Sequence, residues 1–127
     1  MQKDTIFALS TPQGVGGVAV IRISGPQAQA ALQALFQPAG TSPMEPRKLI
    51  YGRFVFDGTQ IDDGMAVLFC APASYTGEDS AELHCHGSLA VVQQLLGALG
   101  TLPGLRPAEP GEFTKRAFLH GKKIGRA

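Results

Sequence analysis

The sequence predicts an α/β fold of the α+β kind: a mixed β-sheet carrying about three helices. Three observations predict it. Residues 17–24 (Gly-Val-Ala-Val-Ile-Arg-Ile-Ser) are nearly all apolar, the mark of a central strand. Two segments, 28–36 and 88–99, repeat apolar residues every three or four positions, as amphipathic helices do. Between them, two strand-like runs flank Asp57-Gly58, a hairpin turn signal.

The elements follow in order. Thr5 to Leu9 is β-branched and apolar and reads as a strand. Ser10 to Gly17 holds three glycines and a proline and reads as a loop before the central strand. Gly25-Pro26 opens the first helix, with Ser24 as its candidate cap and Ala28, Ala31, Leu32, Leu35 and Phe36 as its stripe. Pro38 stops it, and 39–46 is a proline-bearing linker. Leu49 to Phe56 and a second strand within 61–70 make the hairpin. Residues 71–78 form a loop. In 79–86, Ala81, Leu83 and Cys85 alternate with Ser80, Glu82 and His84, so one strand face is apolar and one polar. Ser88 caps the second helix, with Leu89, Val92, Leu95, Leu96 and Leu99 inward. Residues 105–110 are extended, and Gly111 starts a short helix to about Leu119, with Phe113 and Phe118 inward. Hairpins and helical crossovers together imply a mixed sheet with helices covering one side.

The chain is one domain's length, 127 residues, and its 44% hydrophobic content excludes general disorder. A net charge of +1 gives no overall nucleic-acid footprint. Two cysteines, Cys70 and Cys85, fit reduced thiols rather than a disulfide scaffold. No signal peptide or membrane-spanning run is seen, so a cytoplasmic location is expected. Sixteen glycines and nine prolines exceed ordinary usage and point to many turns.

Several residues invite chemistry. The Gly14-Val15-Gly16-Gly17 loop follows a strand but leads into another strand, and no Gly-Lys-Ser/Thr occurs, so a nucleotide loop is not indicated. His84 and His86 share a strand face with Glu82 and form an incomplete metal set, while Cys85 faces the apolar side. Arg22 interrupts an apolar strand and needs an anionic partner, either a structural one, Glu82 or Asp79, or an anion held in a cleft. Lys115, Arg116, Lys122, Lys123 and Arg126 are the one basic cluster, suited to RNA phosphates or to a solvated helix end.

Three blocks in order carry a family resemblance. They are Asp4-Thr5-Ile6 with Thr11-Pro12-Gln13-Gly14-Val15-Gly16-Gly17-Val18 and Arg22-Ile23-Ser24-Gly25; Ser74-Tyr75-Thr76-Gly77-Glu78-Asp79 with Glu82-Leu83-His84-Cys85-His86-Gly87; and Pro110-Gly111-Glu112-Phe113-Thr114-Lys115-Arg116-Ala117-Phe118-Leu119. Together they resemble the N-terminal domain of the bacterial tRNA-modification GTPase family MnmE (TrmE), over nearly the whole chain. The resemblance implies a tetrahydrofolate-binding-domain-like fold, a homodimer, and a bound 5-formyl- or 5,10-methylene-tetrahydrofolate as one-carbon donor. It implies that, in the parent complex, the flavoprotein MnmG is the partner and the wobble uridine of tRNA is modified. Family folate contacts map onto Arg22, Glu82 and Lys122. A carboxylate such as Glu82 suits the adjacent N–H donors of a pterin edge, and cations such as Arg22 and Lys122 suit the carboxylates of the glutamate tail.

The expected organisation is a folate-binding and dimerisation domain over 1–122 and a divergent tail over 123–127. In that tail Lys123-Ile124-Gly125-Arg126-Ala127 replaces the family's Leu-Asp-Leu-containing continuation. The chain then reads as a truncated first domain, without the GTPase and helical domains and with no catalytic centre of its own. Two alternatives from other classes stay open: a ligand-free dimerisation module, and a small metal-dependent hydrolase using His84, His86 or Cys85.

Overall fold

The computed structural model describes residues 4–11, 17–41 and 43–121. One seven-stranded sheet organises them. Its strands are β1 (Thr5–Leu9), β2 (Val18–Ser24), β3 (Phe36–Pro38), β4 (Ile50–Phe56), β5 (Thr59–Phe69), β6 (Ser80–His86) and β7 (Leu105–Pro107). Their spatial order is β3-β4-β5-β6-β2-β1-β7, and only the β1–β7 pair is parallel. The helices are α1 (Ala28–Leu35), α2 (Leu89–Gly100) and α3 (Glu112–Leu119). This is the mixed α/β fold that the periodicities predict.

The hairpin turn is Asp57-Gly58, with φ of 53° and 77°. Two residues at positive φ are what a tight hairpin turn of the right twist requires. The β4–β5 register shifts between Phe54 and Val55, leaving Ile61 of β5 as the extra residue of a bulge. Below it, Gly52 and Gly64 are register partners. A Cβ on Gly64 would lie 2.2 Å from the His84 carbonyl oxygen, and one on Gly52 would lie 2.3 Å from that of Gln37. The two glycines thus let the sheet close over the Phe36 and Phe54 rings, whose centroids are 5.3 Å apart.

Alternation divides the central strands. Ile21, Ile23, Ala81 and Leu83 are fully buried in the core with Leu32 and Leu35 of α1 and Leu95 and Leu99 of α2. Arg22, Glu82, His84, Met65 and Val67 take the opposite face by their register. Ser88 caps α2 as expected, its hydroxyl accepting from the Val91 N–H at 3.1 Å.

Some expectations fail locally, each for a tertiary reason. Helix α1 ends at Leu35, because Phe36 leaves it to pair with Phe54 as strand β3. Ser24 does not cap α1; the Thr5 hydroxyl accepts from the Gln27 N–H at 2.7 Å instead. Leu89 is exposed and Ala98 takes an inward position of α2. Helix α3 lies by the face opposite α1 and α2, and it buries Arg116 and Ala117 while Phe118 is 73% exposed. The inward side of α3 is set by ion pairs at Arg116, with Phe113 half-buried on that side and Phe118 turned outward.

Candidate functional site

Arg22 and Glu82 are direct register partners on β2 and β6. Their side chains meet at 3.5 Å, Arg22 Nη2 to Glu82 Oε2. The second carboxylate oxygen, Oε1, is 3.1 Å from His84 Nε2. The Arg22 guanidinium also lies 5.5 Å from the centre of the Tyr75 ring and 5.9 Å from that of Phe113. Both aromatic contacts are within cation–π range. The sequence therefore places its charged strand residue in a pair that remains partly open to solvent, 31% exposed at Arg22 and 21% at Glu82.

A cleft of about 440 Å³ opens over this pair, lined among others by Arg22, Glu82, Arg47, Phe69, Tyr75 and Thr76. A smaller lobe of about 250 Å³ continues past His84, Val67 and Leu49 and shares Arg47, Phe69 and Glu82 with it. Apolar walls with a few charged groups are the usual make-up of a small-molecule site. Lys122 and the loop at 12–16 lie outside the described residues.

The loop over the cleft is held from below. Ser24 donates to Glu78 Oε1 at 2.8 Å and lies 2.6 Å from the Thr76 hydroxyl. Glu78 in turn meets Arg116, both carboxylate oxygens being 3.3 Å from Nη1. Arg116 also donates to Asp4 Oδ1 at 2.7 Å and to the Asp4 carbonyl at 3.0 Å, and approaches Glu112 at 3.4 Å. Arg106 bridges Asp4 and Glu112 from outside. Arg116 is 1% exposed, and its Nε has no hydrogen-bond partner among the described residues. The basic cluster read as a solvated helix end is thus, at Arg116, a buried clamp between β1, α3 and the loop carrying Tyr75.

The Arg106 guanidinium and the Glu109 N–H hold the Glu112 carboxyl down to about 2, against the cost of burial. Asp4 is lowered in the same direction, first by Arg106. A carboxyl depressed in the folded state stabilises above its unfolded pKa and loses that contribution as pH falls towards its folded value. Unfolding midpoints should therefore fall between about pH 4.5 and pH 2, and Glu112→Gln should flatten that fall. A Glu112→Gln profile parallel to the parent's would count against this origin.

The other candidates are accounted for separately. His86 turns to Asp62, Nδ1 to Oδ1 at 2.8 Å, and that carboxylate raises its pKa. Asp62, Asp63 and His86 gather their ligand atoms within 4.8 Å, a different group from the Glu82, His84 and His86 set expected from alternation. Burial and then the Asp62 charge push the Cys85 thiol up to about 11, so it is not primed as a nucleophile.

The sequence reading gave no site role to two cleft residues, Tyr75 and Arg47, or to Phe113 beside Arg22. Tyr75 stood within a family block, but in a polar loop with no pattern that marks a site residue. Phe113 carried a helical-core pattern, and Arg47 stood in a linker without any local mark.

Comparison with known proteins gives one consistent answer. The family described as "GTP-binding protein TrmE N-terminus" matches residues 5–122. A tRNA modification GTPase MnmE from Parvibaculum lavamentivorans is 54% identical over 94% of this chain and 27% of its own length. Its counterpart from Rhodospirillum rubrum is 48% identical over 96% of this chain and 29% of its own. That from Natranaerobius thermophilus is 46% identical over 96% and 27%. The chain thus spans between a quarter and a third of the length of these curated relatives.

Proposed function

The chain belongs to the TrmE N-terminal family, and from that premise we propose that residues 1–122 form a tetrahydrofolate-binding and dimerisation domain of a tRNA modification GTPase. The observation that carries the ligand reading is the Arg22–Glu82 pair, 3.5 Å apart under an open, aromatic-walled cleft. A pterin edge presents adjacent N–H donors, and a carboxylate accepts two of them in parallel, with the geometric specificity of a bidentate pair. Glu82 is the acceptor in this reading. Arg22, fixed between Glu82 and two aromatic rings, orients that carboxylate. Their closeness favours a shared role at the pterin end over an assignment of Arg22 to the glutamate tail. Tyr75 and Phe69 offer apolar wall to a flat ring system. Lys122 joins the site through the family resemblance alone, as a cation for the tail.

The folate, in its 5-formyl or 5,10-methylene form, supplies the one-carbon unit, and this chain's residues bind and orient it. The names of the relatives extend the proposal to the whole protein: GTP hydrolysis and tRNA modification, with wobble uridine as target, the flavoprotein MnmG as partner and the cytoplasm as location. Among the described residues no helix is long and apolar enough to cross a membrane. Support for a homodimer comes from the sheet face opposite α1 and α2, where Val18, Tyr51 and Met65 are exposed; exposed apolar side chains of this kind suit contact with a second copy. Residues 123–127 would be a divergent tail outside the domain.

Calorimetric titration with 5-formyltetrahydrofolate tests the reading. Binding by the parent chain is expected, and Arg22→Ala and Glu82→Ala should each weaken it about ten- to a hundredfold, the range for a charged hydrogen bond. Absence of binding by a folded dimer would favour a ligand-free dimerisation module instead. Binding indifferent to both substitutions would sink the site assignment.

A further inference from the structure

We propose that Arg47 is a second anchor of the cleft, holding the carboxylates of the folate's glutamyl tail; this rests on the folate reading above. Three observations converge on it. Arg47 is held at φ 65°, in the left-handed region that side chains other than glycine's rarely adopt. Such conformations cost of order 1–3 kcal/mol and cluster at ligand clamps. The strain is enforced by the sheet: the Arg47 N–H donates to the Leu68 carbonyl at 2.7 Å, and Pro46 forms a parallel bridge to Leu68 just beyond the end of the β4 ladder.

The second observation is placement. Arg47 lines both lobes of the cleft. From its attachment on β5, the register steps through Val67 to Glu82 and then to Arg22. Three strand spacings put the Arg47 and Arg22 backbones about 14 Å apart, with Glu82 between them and one spacing from Arg22. Glu82 and Arg47 are then two spacings, about 9.5 Å, apart at the backbone, and a ligand that sets its pterin on Glu82 and runs across the strands away from Arg22 carries its far end to the Arg47 side of the cleft.

The third observation is charge. Arg22 has Glu82 beside it, whereas none of the ion pairs among the described residues includes Arg47. The cleft holds two guanidinium groups and one carboxylate, so it favours a ligand with an anion at the end away from Glu82. A planar guanidinium suits a carboxylate bidentately.

The test compares 5-formyltetrahydrofolate with its α,γ-dimethyl ester, which keeps the skeleton and neutralises both carboxylates. Each is titrated into the full 127-residue chain and into Arg47→Gly, a variant that suits the positive φ and removes the side chain with its cation. The parent should prefer the diacid by about ten- to a hundredfold, and Arg47→Gly should lose that preference, whatever affinity it keeps for the diester. Arg47→Lys should restore part of it. If Arg47→Gly discriminates as the parent does, the Arg47 assignment is overturned and the folate reading survives. If the parent binds neither compound, both fall together.

Discussion

Replacing Arg116 by alanine should destabilise the domain by about 3–5 kcal/mol, the range for removing one partner of a buried ion pair. Few single substitutions reach that size. Arg116 is 1% exposed and Glu78 8% exposed. Their separation of 3.3 Å leaves no room for water between them. Without the guanidinium, Glu78 keeps only the Ser24 hydroxyl as a side-chain donor among the described residues. Asp4 would lose two hydrogen bonds as well. Urea unfolding is the measurement: the midpoint should fall with the slope unchanged. The double variant Arg116→Met with Glu78→Gln should recover a good part of the loss, since it removes the stranded charge rather than exposing it. A single-variant loss under about 1 kcal/mol would mean that water reaches Glu78 and that the clamp is not buried in the sense argued.

Gly64→Ala should be the second severe change, at about 3 kcal/mol, the upper end of ordinary overpacking. The added carbon would stand 2.2 Å from the His84 carbonyl oxygen and 2.9 Å from the Phe54 ring. The oxygen belongs to the backbone of β6, so relief requires moving the strand that carries Glu82. Gly97→Ala is the control: it lies inside α2 with nothing within 4 Å of the new carbon. There the helix gains by roughly 0.5–1 kcal/mol from the better helix former. Thermal unfolding of the pair should therefore move in opposite directions. Equal midpoints for Gly64→Ala and the parent would show that β5 and β6 separate without cost.

Much of this architecture is legible because its signals are local. Val18–Ser24 announces a central strand in its own residues, and Asp57-Gly58 announces its turn. Arg22 stood out as a charge inside an apolar run, and its partner Glu82 as a carboxylate on an alternating strand. The missed features are set from a distance. Phe36 fits the α1 stripe as well as it fits β3, and pairing with Phe54 decides between them. Arg116 looks like any basic residue near a helix end; its burial depends on Glu78 and Asp4, 38 and 112 residues away. The turn at Arg47 is imposed by a bond to Leu68, so nothing in 43–48 advertises it.

The tie between Asp4 and Arg116 also has a meaning in time. Synthesis proceeds from the N-terminus, and domains tend to fold as their parts emerge. The hairpin β4–β5 can pair early, because its strands are neighbours in the chain. Glu78 must wait for Arg116 to be made before it has its cation, and β1 must wait for β7 as its parallel neighbour. The loop bearing Tyr75 is therefore the last part of the cleft to set. A nascent chain stalled before Gly111 would hold all seven strands beneath a binding loop still unfastened.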